Sequence, residues 1–231
     1  HNLTYSKLTD NIKKLITKNY IFTDFTLKIT IFLNGNGSWT EFNKKKNSVL
    51  LSIKQFSGHG NKTIKKLGIS SIIKSNNNLY NSKTKCGANY LLSRYALIEA
   101  RKNNFQNVIF LDKNKNITET VNSNIFFIKD NIFYTPKSSN FILDGITRDT
   151  IVFLLKKLNK KIIVRNIKLK DLTKANEIFF TSTSGGIVLC KSFNGKTLKT
   201  SSSKIIKKTY KSLLLKNKNF PKRWFEKFDQ I

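Results

Sequence analysis

Apolar residues along the first part of the chain recur with two different periods. Behind Thr4, a residue able to cap a helix, Leu8, Ile12, Leu15 and Ile16 fall at helical spacing, so residues 5–18 are expected to form an amphipathic helix. Thr26 to Leu33 then alternates as a strand does and ends in Asn34-Gly35-Asn36-Gly37, a strong turn signal. Ser48 to Ile53 reads as its partner strand, and Ile69 to Ile73 as another. The stretch Ser75 to Ser82, rich in Asn and Ser, reads as a linker. A boundary there divides a first domain, 1–80, from a second, 81–231.

The second part carries more regular structure. Tyr90, Leu91, Ala96, Leu97 and Ala100 give residues 89–102 the pattern of a helix with much apolar surface. Val108–Leu111, Ile125–Ile128 and Ile132–Tyr134 are short β-rich runs separated by Asp, Asn and Lys. A helix is expected from about Thr147 to Leu158, strands at Lys161–Val164 and Glu177–Thr181, and a final basic helix at Ile205–Leu215. Helices mixed with hairpin-like strands point to an α+β fold and not to an alternating parallel sheet.

Composition narrows the function. The 39% of hydrophobic residues and 12% of aromatics among 231 residues suffice for a real core. No apolar run approaches the roughly 20 residues of a membrane span, and no signal peptide opens the chain, so a soluble protein without a membrane partner is expected. The sequence starts at His1 and contains no Met, so a natural start, and with it part of the first domain, is expected to be missing. Two cysteines, Cys86 and Cys190, and two histidines make neither a disulfide framework nor a metal site. A reducing, cytoplasmic location fits best.

The net charge of +30 invites a nucleic-acid partner. Yet only five of the 43 basic residues are Arg, and the Lys are spread along the whole chain among abundant Asn, Ile and Phe. Dedicated nucleic-acid surfaces use the bidentate fork of Arg heavily. Specific nucleic-acid binding is therefore not expected, and the charge bears on non-specific adhesion.

Four segments carry candidate chemistry. They are Lys85-Cys86-Gly87-Ala88-Asn89-Tyr90 with Glu99-Ala100; Leu111-Asp112 through Ile117-Thr118-Glu119 to Asn124-Ile125-Phe126; Thr135-Pro136 with Ile142 to Arg148; and Ala175-Asn176-Glu177 through Thr183. In this order and spacing they resemble the fold-type IV pyridoxal-phosphate-dependent enzymes, the class IV aminotransferases, and within them the branched-chain amino-acid aminotransferases. The resemblance implies two domains: a small N-terminal α/β domain, incomplete at its start here, and a larger one with a barrel-like β-structure. It also implies pyridoxal 5'-phosphate as cofactor, held as a Schiff base by Lys85.

By the same resemblance, Glu119 keeps the ring nitrogen protonated, as a neighbouring carboxylate does, and Tyr90 hydrogen-bonds the ring hydroxyl. Leu143, Ile146 and Thr147 are cofactor-binding, the last two at a helix start where free N–H groups and the dipole favour a phosphate. Thr183 adds a phosphate-contacting hydroxyl, and Ser184 and Gly185 form the turn that receives the substrate carboxylate. The family's phosphate-clamping Arg, in a pattern like His-x-x-Arg-Leu, is matched by Lys7, and a second Arg near the substrate carboxylate by Lys28. Lys keeps the charge and loses the planar fork, so both sites are expected to bind more weakly.

The implied reaction is transamination between Leu, Ile or Val and 2-oxoglutarate, with amino acids and 2-oxo acids as partners and a homodimer as the assembly. Alternatives on the same fold are an aminodeoxychorismate lyase or a D-amino-acid aminotransferase, against which Asn89-Tyr90 counts. The non-enzymatic alternative is a decayed homologue whose basic surface binds polyanions.

Overall fold

The computed structural model describes residues 4–21, 23–35, 46–74, 82–139 and 141–216. By contact the chain divides between Gly58 and His59 into a smaller and a larger unit. The boundary expected at residues 80 and 81 lies outside the described residues, as do Asn36 and Gly37 of the expected turn.

In the smaller unit, α1 spans Tyr5–Lys18. Thr4 caps it as the sequence implies, its side chain accepting from the Lys7 N–H at 3.3 Å. The helical repeat buries Ile12 and Ile16. Strands β1 (Phe25–Asn34) and β2 (Lys46–Gln55) form an antiparallel pair in which Lys28 faces Ser52.

The larger unit holds two sheets. Its elements in chain order are β3 (Thr63–Ile64), β4 (Leu67–Lys74), α2 (Tyr90–Lys102), β5 (Asn107–Asp112), β6 (Ile117–Thr120), β7 (Asn124–Lys129), β8 (Ile132–Pro136), α3 (Ile146–Lys157), β9 (Ile162–Arg165), α4 (Leu169–Leu172), β10 (Glu177–Ser182), β11 (Gly186–Cys190), β12 (Ser192–Phe193), β13 (Lys196–Thr197) and α5 (Ser201–Lys216). One sheet runs β3-β11-β10-β7-β8-β9 and the other β13-β12-β4-β5-β6. β3 and β4, which precede the expected boundary, are thus built into the larger unit. The mixture of hairpins and helices is the α+β class that the sequence implies.

The apolar runs of β7 and β10 are buried on both faces, and the period of two decides which core each residue joins. Ile125, Phe127, Ile178 and Phe180 pack with Leu67, Ile109 and Ile117 of the other sheet. Phe126, Ile128 and Phe179 point the opposite way, onto Ile151, Leu154 and Leu155 of α3 and Ile206 and Tyr210 of α5. Phe126 and Phe179 stack at 5.0 Å between ring centroids and 7° between planes. Each such ring contributes about 1.5–3 kcal/mol by leaving water. α2 seats Ala96 and Ala100 against Val108 and Phe110 of β5.

α5 starts at Ser201, earlier than the Ile205 read from its apolar residues. The reason is a long-range cap. Glu177, buried at the start of β10, accepts from Ser201 Oγ at 3.1 Å, Ser202 N at 2.9 Å and Ser203 N at 2.8 Å, and also from Ser203 Oγ.

Candidate functional site

Lys85 lies in the turn that leads into α2. Cys86 N–H and the Asn89 side-chain amide both donate to Thr84 O at 2.8 Å, and Gly87–Asn89 form one 3-10 turn. The tight turn brings Lys85 back over the first residue of the helix. Lys85 Nζ donates to Tyr90 OH at 2.5 Å and stands 5.1 Å from the centre of that ring. Lys85 is exposed, so its amine is open to a reactant.

Glu119 occupies β6. Its Oε2 accepts from the Leu143 N–H at 3.0 Å. Its Oε1 is 2.5 Å from Lys74 Nζ, a partner that the sequence reading missed. Nothing in the sequence distinguishes Lys74 from the many other lysines; its role comes from the end of β4 lying beside β5, whose other neighbour is β6. Lys74 also donates to Phe141 O at 3.0 Å and stands over the Phe110 ring. The side chains of the ion pair are only 13% and 12% exposed, so it counts for more than a surface bridge.

Gly145 stands at the N-cap of α3 and brings no capping side chain to the Ile146 and Thr147 N–H groups. A Cβ on Gly145 would collide with Asn124 Oδ1, so only glycine fits this approach. By strand alternation Asn124 and its neighbour in register, Thr181, share the face of Phe126 and Phe179, toward α3. Thr181 Oγ1 is buried there without a hydrogen-bond partner among the described residues. Thr147 is buried and hydrogen-bonds Tyr210 of α5. Burial pushes the Tyr210 phenol above its ordinary value, against the opposing effect of that bond.

Thr183, Ser184 and Gly185 form the β10–β11 turn, where Thr183 and Ser184 are exposed. The Gly185 N–H, expected to be open for a carboxylate, already donates to Ser182 Oγ at 3.1 Å. Thr183 O accepts from His59 Nε2 at 3.0 Å. The His59 ring also lies against Gly186, whose φ of +57° favours glycine. Lys7 and Lys28 lie in the smaller unit, both exposed. Their assignment to phosphate and carboxylate rests on the resemblance alone.

The hydrogen bonds thus link Lys85 with Tyr90, Glu119 with Leu143 and Lys74, and Gly145 with Asn124 through Leu143. The family model described as Amino-transferase class IV matches residues 1–193. The chain belongs to this family. Among curated class IV relatives, the branched-chain-amino-acid aminotransferases of Salmonella typhimurium and Escherichia coli K12 are each 34% identical over 132 residues, covering 55% of this chain and 43% of theirs. The chain therefore spans less than half the length of those relatives. Among solved structures, the branched-chain aminotransferase of Thermoproteus uzoniensis, determined with norvaline, superposes with a TM-score of 0.86 at 21% identity. That alignment covers 96% of this chain and 75% of the other, and it shows the shared fold. The Escherichia coli branched-chain enzyme superposes with a TM-score of 0.82 at 26% identity, over 92% and 72% of the two chains. The class IV fold read from the four segments is the fold of the protein.

Proposed function

We propose that the chain holds pyridoxal 5'-phosphate on Lys85 and belongs to an enzyme that moves amino groups between Leu, Ile or Val and 2-oxoglutarate. The observation that carries the reading is the 2.5 Å hydrogen bond between Lys85 Nζ and Tyr90 OH, which sets an accessible amine beside a phenol at the start of α2. The donor set fits the cofactor. Gly145 brings no capping side chain to the first N–H groups of α3, Thr181 offers a buried hydroxyl without a partner among the described residues, and Glu119 offers a carboxylate shielded from water.

Pyridoxal phosphate, when bound, supplies an electron sink for negative charge at the substrate α-carbon. The other roles belong to this chain. Lys85 would hold the cofactor, and its amine would take the proton from the substrate α-carbon and deliver it to C4′ of the cofactor. Tyr90 orients the Lys85 amine and hydrogen-bonds the ring hydroxyl. Glu119 pairs with the ring nitrogen, with Leu143 N–H fixing one oxygen and Lys74 the other. The Ile146 and Thr147 N–H groups, with the Thr183 hydroxyl, hold the phosphate. Ser184 and Gly185 receive the substrate carboxylate once Gly185 N–H exchanges its Ser182 partner for it.

A homodimer belongs to this reading on the strength of the family resemblance. A reducing, cytoplasmic setting belongs to this reading on the low cysteine content of the sequence. No helix among the described residues is long and apolar enough to cross a membrane. The test is glutamate formation from 2-oxoglutarate with Leu, Ile or Val and added pyridoxal phosphate. Glutamate formed by the wild type and lost in Lys85→Ala supports the reading. Pyruvate release from aminodeoxychorismate without glutamate formation would replace it with the lyase.

A further inference from the structure

Two side chains at either end of one short turn reach the backbone of the same residue, Leu143. Glu119 is the next-to-last residue of β6 and Asn124 opens β7, and the turn between the strands is closed by Thr120 N and Oγ1 donating to Ser123 O at 2.9 and 3.0 Å. Leu143 N–H donates to Glu119 Oε2 at 3.0 Å. Leu143 C=O accepts from Asn124 Nδ2 at 2.8 Å and from Gly145 N–H at 2.8 Å. The other end of the Asn124 amide, Oδ1, packs against Gly145 so closely that no Cβ could stand there. Asn124 is buried, so water does not readily replace these bonds.

We propose that Asn124 is a positioning residue for the cofactor half-site, and that it acts by locking the Leu143–Gly145 turn against Glu119 and the start of α3. The inference rests on the function proposed above and deepens it. The lock has two outputs. It keeps Leu143 N–H aimed at Glu119, which fixes the carboxylate, and it fixes where Gly145 hands the chain to α3, which places the Ile146 and Thr147 N–H groups. Without the Asn124 amide, Leu143 C=O keeps only the local Gly145 N–H, and the turn is free to shift relative to β7. The carboxylate and the helix start then lose their common reference.

The experiment compares wild type, Asn124→Ala and Asn124→Asp. The Asp variant keeps the shape and removes the donor to Leu143 O. Amide hydrogen exchange is measured on protein freed of cofactor, and the Kd for pyridoxal phosphate is measured by absorbance titration. In both variants the Leu143 and Gly145 amides should exchange about tenfold faster, the loss of one shielded hydrogen bond, while the core amides of Phe126 and Phe179 stay unchanged. The Kd should rise about tenfold in Asn124→Ala and further in Asn124→Asp, whose negative charge lies beside the phosphate-holding helix start. Unchanged Leu143 and Gly145 exchange overturns the proposal. So does faster exchange with a Kd within about twofold of wild type, because the turn would then move without consequence for the cofactor. Exchange that rises throughout the core makes Asn124 a general stability residue and also overturns it. A wild type that takes up no cofactor refutes the function proposed above, and the exchange data then decide separately whether the lock exists.

Discussion

Glu177 is the most demanding stability test of the fold, because one carboxylate holds a whole helix. It is 3% exposed and accepts from three successive serines at the start of α5. Glu177→Ala removes the cap of the first turn, worth about 1 kcal/mol in ordinary helices. It also leaves the N–H and hydroxyl of the fully buried Ser203 without an acceptor. Stranding such buried donors costs about 1–3 kcal/mol more, so a loss of about 3 kcal/mol is expected. Glu177→Gln keeps one acceptor oxygen and should lose roughly half as much.

Urea unfolding followed by far-ultraviolet circular dichroism reads both variants. A loss under about 1 kcal/mol in Glu177→Ala, or equal losses in the two variants, would refute the long-range cap. The pH dependence gives a second check. Burial works to raise the Glu177 carboxyl, but the hydrogen bonds from Ser203, Ser202 and Ser201 outweigh it and hold the group below its ordinary value. A folded value below the unfolded one means that its stabilisation is complete above the unfolded value, about pH 4.3, and fades as pH falls through the folded value. Wild type should therefore lose more stability than Glu177→Gln on acidification below about pH 4.

Gly68→Ala would place a Cβ 2.6 Å from Phe105 Cγ, and the overpacking should cost about 1–3 kcal/mol in the same unfolding assay. Phe179→Ala removes a fully buried ring stacked on Phe126 and should cost about 3–5 kcal/mol. Cys190 is buried and its thiol is pushed up to about 12 by burial, whereas Cys86 is exposed. A thiol reagent at neutral pH should therefore label Cys86 alone in the native protein and both cysteines after denaturation.

Much of the fold was legible because burial follows period. The amphipathic repeat behind Thr4 gives α1, and the apolar runs at Ile125–Ile128 and Glu177–Thr181 give β7 and β10. Elements too short to show a period escaped, among them β3, β12, β13 and α4. β11 escaped for another reason, since its Gly186 start reads as the end of a polar loop. The true start of α5 was invisible because its cap comes from Glu177, distant in sequence. The candidate site divides in the same way. Lys85, Tyr90 and Glu119 stand in motifs with local spacing, and the fold places each in a shielded or preorganised setting. Lys74 and Asn124 act through contacts made only when β4, β7 and the Leu143 turn converge, so spacing gave them no role.

The central claim is that Lys85 is the cofactor lysine, and borohydride reduction after adding pyridoxal phosphate tests it most directly. Digestion and mass spectrometry should find the reduced adduct on Lys85, with the visible absorbance of the bound cofactor lost in Lys85→Ala. An adduct scattered over many of the surface lysines, or one of equal yield in Lys85→Ala, would contradict the account.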